Sequence, residues 1–249
     1  MGKSMNIIDL FSQNKLIQSW HAGVSNLGRQ LIMGLSGASR ALAIASAYQA
    51  NEEKIVIITS TQNEVEKLAS DLSSLIGEDK VYTFFADDVA AAEFIFASMD
   101  KAHSRLEALN FLQDKNQSGI LITSLVGARV LLPSPKTYSE SQLNFLVGDL
   151  YNLDKIVKIL SNVGYQKVSQ VLNPGEFSRR GDIVDIYEIT ADYPYRLEFF
   201  GDEVDGIRQF DAQTQKSLIN VEQVTIYPAD ELILSEEDFA RASQAFEKY

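Results

Sequence analysis

The sequence predicts an α/β protein. A parallel-sheet, P-loop-like but degenerate domain spans residues 1–140, and a smaller α+β domain spans 141–227. Residues 228–249 then begin a return segment to the first domain, cut off before it is complete. Three observations carry this reading. The first half alternates short apolar runs with helical patterns, the βαβ rhythm of a doubly wound sheet. Residues 173–217 instead read as consecutive short strands punctuated by Gly, Pro and Asp. Between a predicted strand and a predicted helix lies MGLSGASRA, residues 33–41, where a phosphate-binding loop belongs in such a topology.

In chain order, residues 6–18 have the spacing of an amphipathic helix with Ile7, Leu10, Phe11 and Ile17 inward. Residues 30–33 form a short strand leading into Gly34, and 39–50 an alanine-rich helix. The run KIVII, 54–58, is apolar enough to be buried on both faces of a parallel sheet. A helix over 62–76 follows residues rich in capping hydroxyls. A strand at 81–85, a helix at 101–111 and the strand GILIT at 119–123 complete the rhythm. Leu132-Pro133-Ser134-Pro135 ends it, and the residues to 141 read as a connection. A helix over 154–161 introduces the strand-rich region, which 221–227 closes. The acidic stretch 231–238 and a helical pattern (Phe239, Ala242, Phe246) come last, with no terminating Gly or Pro.

Composition bounds the chemistry. The 249 residues are 45% hydrophobic and 22% charged, as in an ordinary soluble globular protein. The absence of cysteine excludes disulfides and thiol catalysis, and His21 and His103 alone leave little scope for imidazole chemistry. Trp20-His21 reads as packing or as a cation near a helix end. No apolar run approaches the roughly 20 residues that span a bilayer, so the cytoplasm is the expected location and no membrane partner is expected. The net charge of −12 opposes direct nucleic-acid binding. Residues 141–226 hold eight Lys or Arg against thirteen Asp or Glu, so no basic domain hides within the total.

Within 173–217, Gly201-Asp202 joins two strands, 195–200 and 203–210, as a tight hairpin, because Gly takes the positive φ such turns need. Alternation puts Tyr195, Leu197 and Phe199 on one face, the core, and Arg196, Glu198 and Phe200 on the other. An Arg and a Phe exposed on rigid strands are the material of a protein-binding hot spot. Arg180 precedes the strand 182–187, which can lie beside the hairpin and bring its guanidinium to the same patch. Of the three side chains, Phe200 carries the greatest risk of partial burial. Asp185 and Glu188 read as pointing to opposite faces of a strand, and Asp202-Glu203 as turn formers.

The runs PGEFSRRGDIVDIY, PYRLEFFGDEVDGIR and FDAQTQKS, with their spacing intact, closely resemble the UvrB-like N-terminal module of the bacterial transcription-repair coupling factors (Mfd). A looser likeness covers nearly the whole chain. The resemblance implies a docking surface for the repair protein UvrA, with the contacting residues falling on Arg180, Arg196 and Phe200. It implies a role in transcription-coupled nucleotide excision repair. The parent would translocate on DNA with ATP and reach RNA polymerase and DNA only through domains absent here, while other domains of that parent are partners as well. Two rivals stand beside it: a UvrB-type ATP-dependent damage-recognition fragment, and a face that packs intramolecularly to mask the docking surface.

The degenerate loop argues against the first rival. The P-loop pattern is G-x-x-x-x-G-K-[ST]; here Gly34 keeps the first glycine and Gly37 keeps the loop flexible. Ser39, Arg40 and Ala41 replace the second glycine, the lysine and the hydroxyl residue. The lysine reaches the β- and γ-phosphates and the hydroxyl holds Mg²⁺, so these five positions are read as a vestigial turn and the chain as a non-enzyme with no cofactor. UvrB also carries a tyrosine-rich hairpin that probes damaged duplex. Residues 84–100 stand in its place, short, acidic and free of tyrosine. There Phe84, Phe85, Phe94 and Phe96 are read as core, because Asp87, Asp88 and Glu93 beside them would repel phosphates.

Overall fold

A computed structural model describes residues 6–25, 28–86, 97–231 and 233. The chain divides into two compact units, Met1–Val130 and Leu131–Tyr249.

The first unit opens with α1 (Ile7–Ser12) and α2 (Lys15–Ser25), where the periodicity suggested one helix. Asn6 caps α1 in a capping box with Asp9. The second helix starts separately because the Asn14 side chain accepts the Leu16 N–H at 2.9 Å, so Asn14 serves as a fresh cap. The inward face is rotated accordingly: Ile8 and Ile17 are buried, while Ile7 and Leu10 are exposed. Residues 30–33 form no strand among the described residues, with Leu31 and Met33 in solvent, so no strand leads into the glycine loop.

α3 (Ala38–Asn51) and β1 (Lys54–Thr59) follow, then α4 (Gln62–Ile76), capped by Thr61, and β2 (Val81–Phe84). α5 (Ala97–Gln113) and β3 (Gly119–Ser124) complete a three-stranded parallel sheet in the order β1-β3-β2. All six residues of central β3 are buried. Ile120 and Ile122 pack with α3 and α4, whereas Leu121, on the opposite face, packs with Phe111 of α5. β1 is not buried on both faces as its apolar run suggested. It lies at an edge of the described sheet, and Val56 and Ile58 are more than half exposed on the face where Leu121 meets α5.

In the second unit the stretch after Leu132 is not a plain connection. Ser134 caps α6 (Pro135–Glu140), accepting the Thr137 N–H at 3.1 Å, and Pro135 sits at the first helical position, where its missing N–H costs nothing. β4 (Leu143–Leu146) and α7 (Leu153–Asn162) follow. The strands come next: β5 (Gln166–Lys167), β6 (Glu176–Arg180), β7 (Ile183–Ile186), β8 (Tyr195–Phe200), β9 (Glu203–Phe210), β10 (Ser217–Val221) and β11 (Gln223–Ile226). They build a six-stranded sheet ordered β10-β9-β8-β7-β6-β5, antiparallel except for β5–β6, and a two-stranded β11-β4 ribbon.

Leu153, Ile156 and Leu160 of α7 pack on Phe177, Val184, Ile186, Leu197 and Ile207 from one sheet face, joined by Phe145, Val224 and Ile226 of the ribbon. Each such large apolar side chain contributes about 1.5–3 kcal/mol by leaving water. Ala229 joins this core, and its N–H bonds the Val163 carbonyl at 2.8 Å, so the described start of segment 228–249 packs within the second unit. The helical pattern at 239–249 and residues 87–96 lie outside the described residues.

Candidate functional site

The strand-rich sheet turns one face to its core and the other to the predicted docking residues. Two tight hairpins set the register. Gly181-Asp182 links β6 to β7 and Gly201-Asp202 links β8 to β9, with φ of 63° at Gly181 and 64° at Gly201, values that an L side chain rarely adopts. Arg180 therefore ends one strand beside its turn, and Phe200 ends another. A register shift after Glu198 places the extra residue of a bulge on β9.

Asp185 organises the face. Its carboxylate is buried, at 1% exposure. Arg196, its cross-strand partner, donates from Nε to Oδ1 at 2.6 Å and from Nη2 to Oδ2 at 2.9 Å. Arg180 donates from Nη2 to Oδ2 at 2.6 Å. Arg196 also donates to Gln215 Oε1 at 3.2 Å and lies 4.4 Å from the Phe210 ring centroid. Hydrogen bonding to Asp185 raises the guanidinium's pKa above its ordinary value. Only 14% of the Arg196 side chain is exposed, against 50% for Arg180. The structure thus brings the two arginines together on one carboxylate. Arg196 is held on three sides and is not a free surface side chain.

Phe200 stands apart, one strand length away at the hairpin tip. It is 82% exposed, the reverse of the partial burial considered from sequence. Between Arg196 and Phe200, Glu198 pairs with Arg208 on the neighbouring strand. A shallow cavity of about 300 Å³ opens beside this pair, lined also by Gly206, Asn220 and Glu222. The predicted residues therefore form a line: a salt-bridged arginine pair at one end, a second ion pair in the middle and a bare phenyl ring at the far end.

Sequence reasoning missed two participants. One is Asp185, which the sequence reading places only on the opposite strand face from Glu188, with no role in the site. Both are buried, Asp185 at 1% and Glu188 at 3%, and Glu188 accepts from the Thr190 N–H and hydroxyl. An Asp inside the apolar strand IVDI was the available signal, since a carboxylate there needs a cation. The second is Leu150, 74% exposed and bridged to Glu203.

The glycine loop has a different character. Gly37, with φ of 54°, precedes α3 and offers no side-chain cap. Ser39 turns its hydroxyl back on the loop, accepting the Ser36 N–H at 2.9 Å and donating to the Ser36 carbonyl at 2.7 Å. Ala41, at the position of a metal-binding hydroxyl, is buried in the core with Ile8 and Ala45. A cavity of about 290 Å³ beside the loop is lined by Leu35, Ser36, Gly37 and Arg40 and, from α4, by Glu64, Lys67, Leu68 and Asp71. Its cations are offset by two carboxylates. The Ser60 hydroxyl and N–H hold the Glu64 carboxyl below its usual pKa, so Glu64 remains an anion at neutral pH. Of the four phenylalanines read as core, Phe84 is buried in the parallel-sheet core and Phe85 is partly buried against the α3–α4 side, while Phe94 and Phe96 lie outside the described residues. His21 bonds the Ser46 hydroxyl at 3.0 Å, and burial lowers its pKa. Among the described residues no helix is long and apolar enough to cross a membrane.

Residues 143–232 match the family described as the UvrB interaction domain, a span that contains the whole strand-rich sheet. The chain is 33% identical over 229 residues to the transcription-repair-coupling factor of Bacillus subtilis (strain 168), covering 92% of this chain and 19% of that protein. It is 33% identical over 207 residues to those of Staphylococcus aureus (strain bovine RF122 / ET3-1) and Staphylococcus haemolyticus (strain JCSC1435). The chain spans about a fifth of the length of these relatives.

Proposed function

We propose, for a chain akin to the transcription-repair-coupling factors over most of its length and carrying a UvrB interaction domain, that it recruits UvrA and catalyses nothing itself. The observation that carries this is Phe200: a large apolar ring left 82% exposed on a paired β-hairpin inside the matched domain. Burying such a ring against a partner recovers the hydrophobic free energy that solvent exposure forgoes. Arg180, half-exposed and already oriented by Asp185, can offer its remaining donors to a partner carboxylate. Arg196 contributes mainly by fixing Asp185 and through its small exposed edge.

The glycine loop is a structural turn in this reading. Ala41 supplies no oxygen for Mg²⁺, and the lysine position is Arg40. Motor work, polymerase contact and DNA translocation are left to other domains of a longer parent, in keeping with a Bacillus subtilis relative about five times as long as this chain. The test is a titration with purified UvrA, paired with thermal melting. Phe200→Ala should weaken binding about tenfold or more, within the hot-spot range, with the melting temperature unchanged. If it binds like wild type, the docking assignment is wrong.

A further inference from the structure

The geometry points to a docking surface that continues beyond Phe200 to Leu150, and to a basic-rimmed apolar pocket on UvrA as its occupant; this rests on the reading that UvrA is the partner. Phe200 pairs with Glu203 across the hairpin, and Leu150 bridges Glu203 from the other side. The segment before α7 is thus laid along β9 as a local third strand. Three backbone bonds hold it there: Gly148 N–H to the Val204 carbonyl at 2.9 Å, Val204 N–H to the Asp149 carbonyl at 3.0 Å, and Tyr151 N–H to the Asp202 carbonyl at 2.7 Å. Laterally paired residues project from the same side of a sheet. With strands about 4.8 Å apart, Phe200 and Leu150 stand roughly 10 Å from one another on a common face, with Glu203 between them.

Neither apolar side chain serves the interior. Phe200 is 82% and Leu150 74% exposed, and both lie outside the core that Phe199 and Val204, their immediate neighbours, help to build. Two large apolar groups held in water on a hydrogen-bonded backbone frame, which needs no further ordering of the main chain, make a preorganised anchor pair. The surroundings define what fits them. Asp149, Asp202, Glu203 and Asp205 are all exposed around the pair, and residues 147–153 and 199–207 contain no Lys or Arg. A local charge of about four negatives repels nucleic acid. It suits a protein pocket bordered by lysine or arginine.

The experiment is titration of the full chain with purified UvrA at two salt concentrations, with melting curves for every variant. Leu150→Ala is expected to weaken binding about tenfold while melting like wild type. Asp202→Asn combined with Glu203→Gln tests the rim without touching either anchor. It should weaken binding several-fold at low salt and little at high salt, where screening has already removed the attraction. If Phe200→Ala weakens binding and Leu150→Ala does not, the extension is overturned and UvrA docking stands. If the rim variant binds alike at both salts, the basic-rimmed occupant is overturned. If wild type itself does not bind UvrA, the recruitment reading falls and the extension falls with it.

Discussion

Replacing Arg196 by Ala should destabilise the strand-rich unit before it reports anything about partners. The substitution removes two donors from Asp185, the Nε bond at 2.6 Å and the Nη2 bond at 2.9 Å, and leaves a carboxylate that is 1% exposed. Stripping one partner from a buried ion pair costs about 3–5 kcal/mol, because the remaining charge must stay desolvated. Arg180 keeps its 2.6 Å bond to Oδ2 and offsets part of this. The lost contact with the Phe210 ring, 4.4 Å away, adds roughly 0.5–1 kcal/mol. The net expectation is about 3 kcal/mol, or roughly 10 °C in the melting of a unit of this size. Arg180→Ala, which removes one bond from a half-exposed side chain, should cost about 1 kcal/mol. Removing the pair together, as Asp185→Leu with Arg196→Met, should recover much of the loss because no buried charge is left unpaired. Thermal or urea unfolding followed by circular dichroism measures all three. If Arg196→Ala melts within about 2 °C of wild type, Asp185 is not held as described and the reasoning fails. A fall in UvrA binding by this variant therefore counts as interface loss only after correction for the folded fraction.

Calorimetry with Mg²⁺-ATP at millimolar concentration should give no saturable heat and no phosphate release, since Ala41 is buried in the core and Ser39 bonds its own loop; saturable binding with turnover would revive an ATPase. Fluorescence anisotropy with lesion-containing duplex at physiological salt should match undamaged duplex and show no binding, given the −12 charge; a lesion-dependent rise would contradict this. At alkaline pH, burial raises the pKa of Tyr165 well above 10, and burial also raises that of Tyr138. Because the folded values exceed the unfolded ones, the stability involved is fully present below about pH 10 and is lost as pH rises from there toward the folded values. Tyr165→Phe forfeits the hydroxyl's 2.7 Å bond to the Tyr227 carbonyl, about 1 kcal/mol at neutral pH. Its deficit relative to wild type should shrink above pH 10, and a constant deficit from pH 7 to 11 would refute the burial argument.

Much of the architecture was legible locally. The helix at 62–76 and the central strand announced themselves, because an amphipathic period after a capping hydroxyl and an unbroken apolar run are properties of contiguous residues. The Gly201-Asp202 turn likewise marked the β8–β9 hairpin, since positive φ is a demand of the backbone at one position, whereas the pairing of β6 with β7 through Gly181-Asp182 emerged only in the structure. Alternation then assigned Leu197 and Phe199 to the core and sent Arg196 and Phe200 to the opposite face.

What happens on that opposite face was decided only in three dimensions. Arg196 and Phe200 share a strand and a side, yet one is largely enclosed and the other nearly bare. The difference comes from distant residues: Asp185 on the adjacent strand, and Gln215, whose loop reaches back to bond both Arg196 and the Val171 carbonyl. The same holds for the edge strand β1, whose apolar sequence could not reveal that α5 packs on Leu121 and leaves Val56 and Ile58 open. It holds again for residues 30–33, whose sequence suggests a strand but which form none among the described residues. A strand pattern states which way side chains point. What they meet is set by segments far away in sequence, and so are burial, charge pairing and the surface left for a partner.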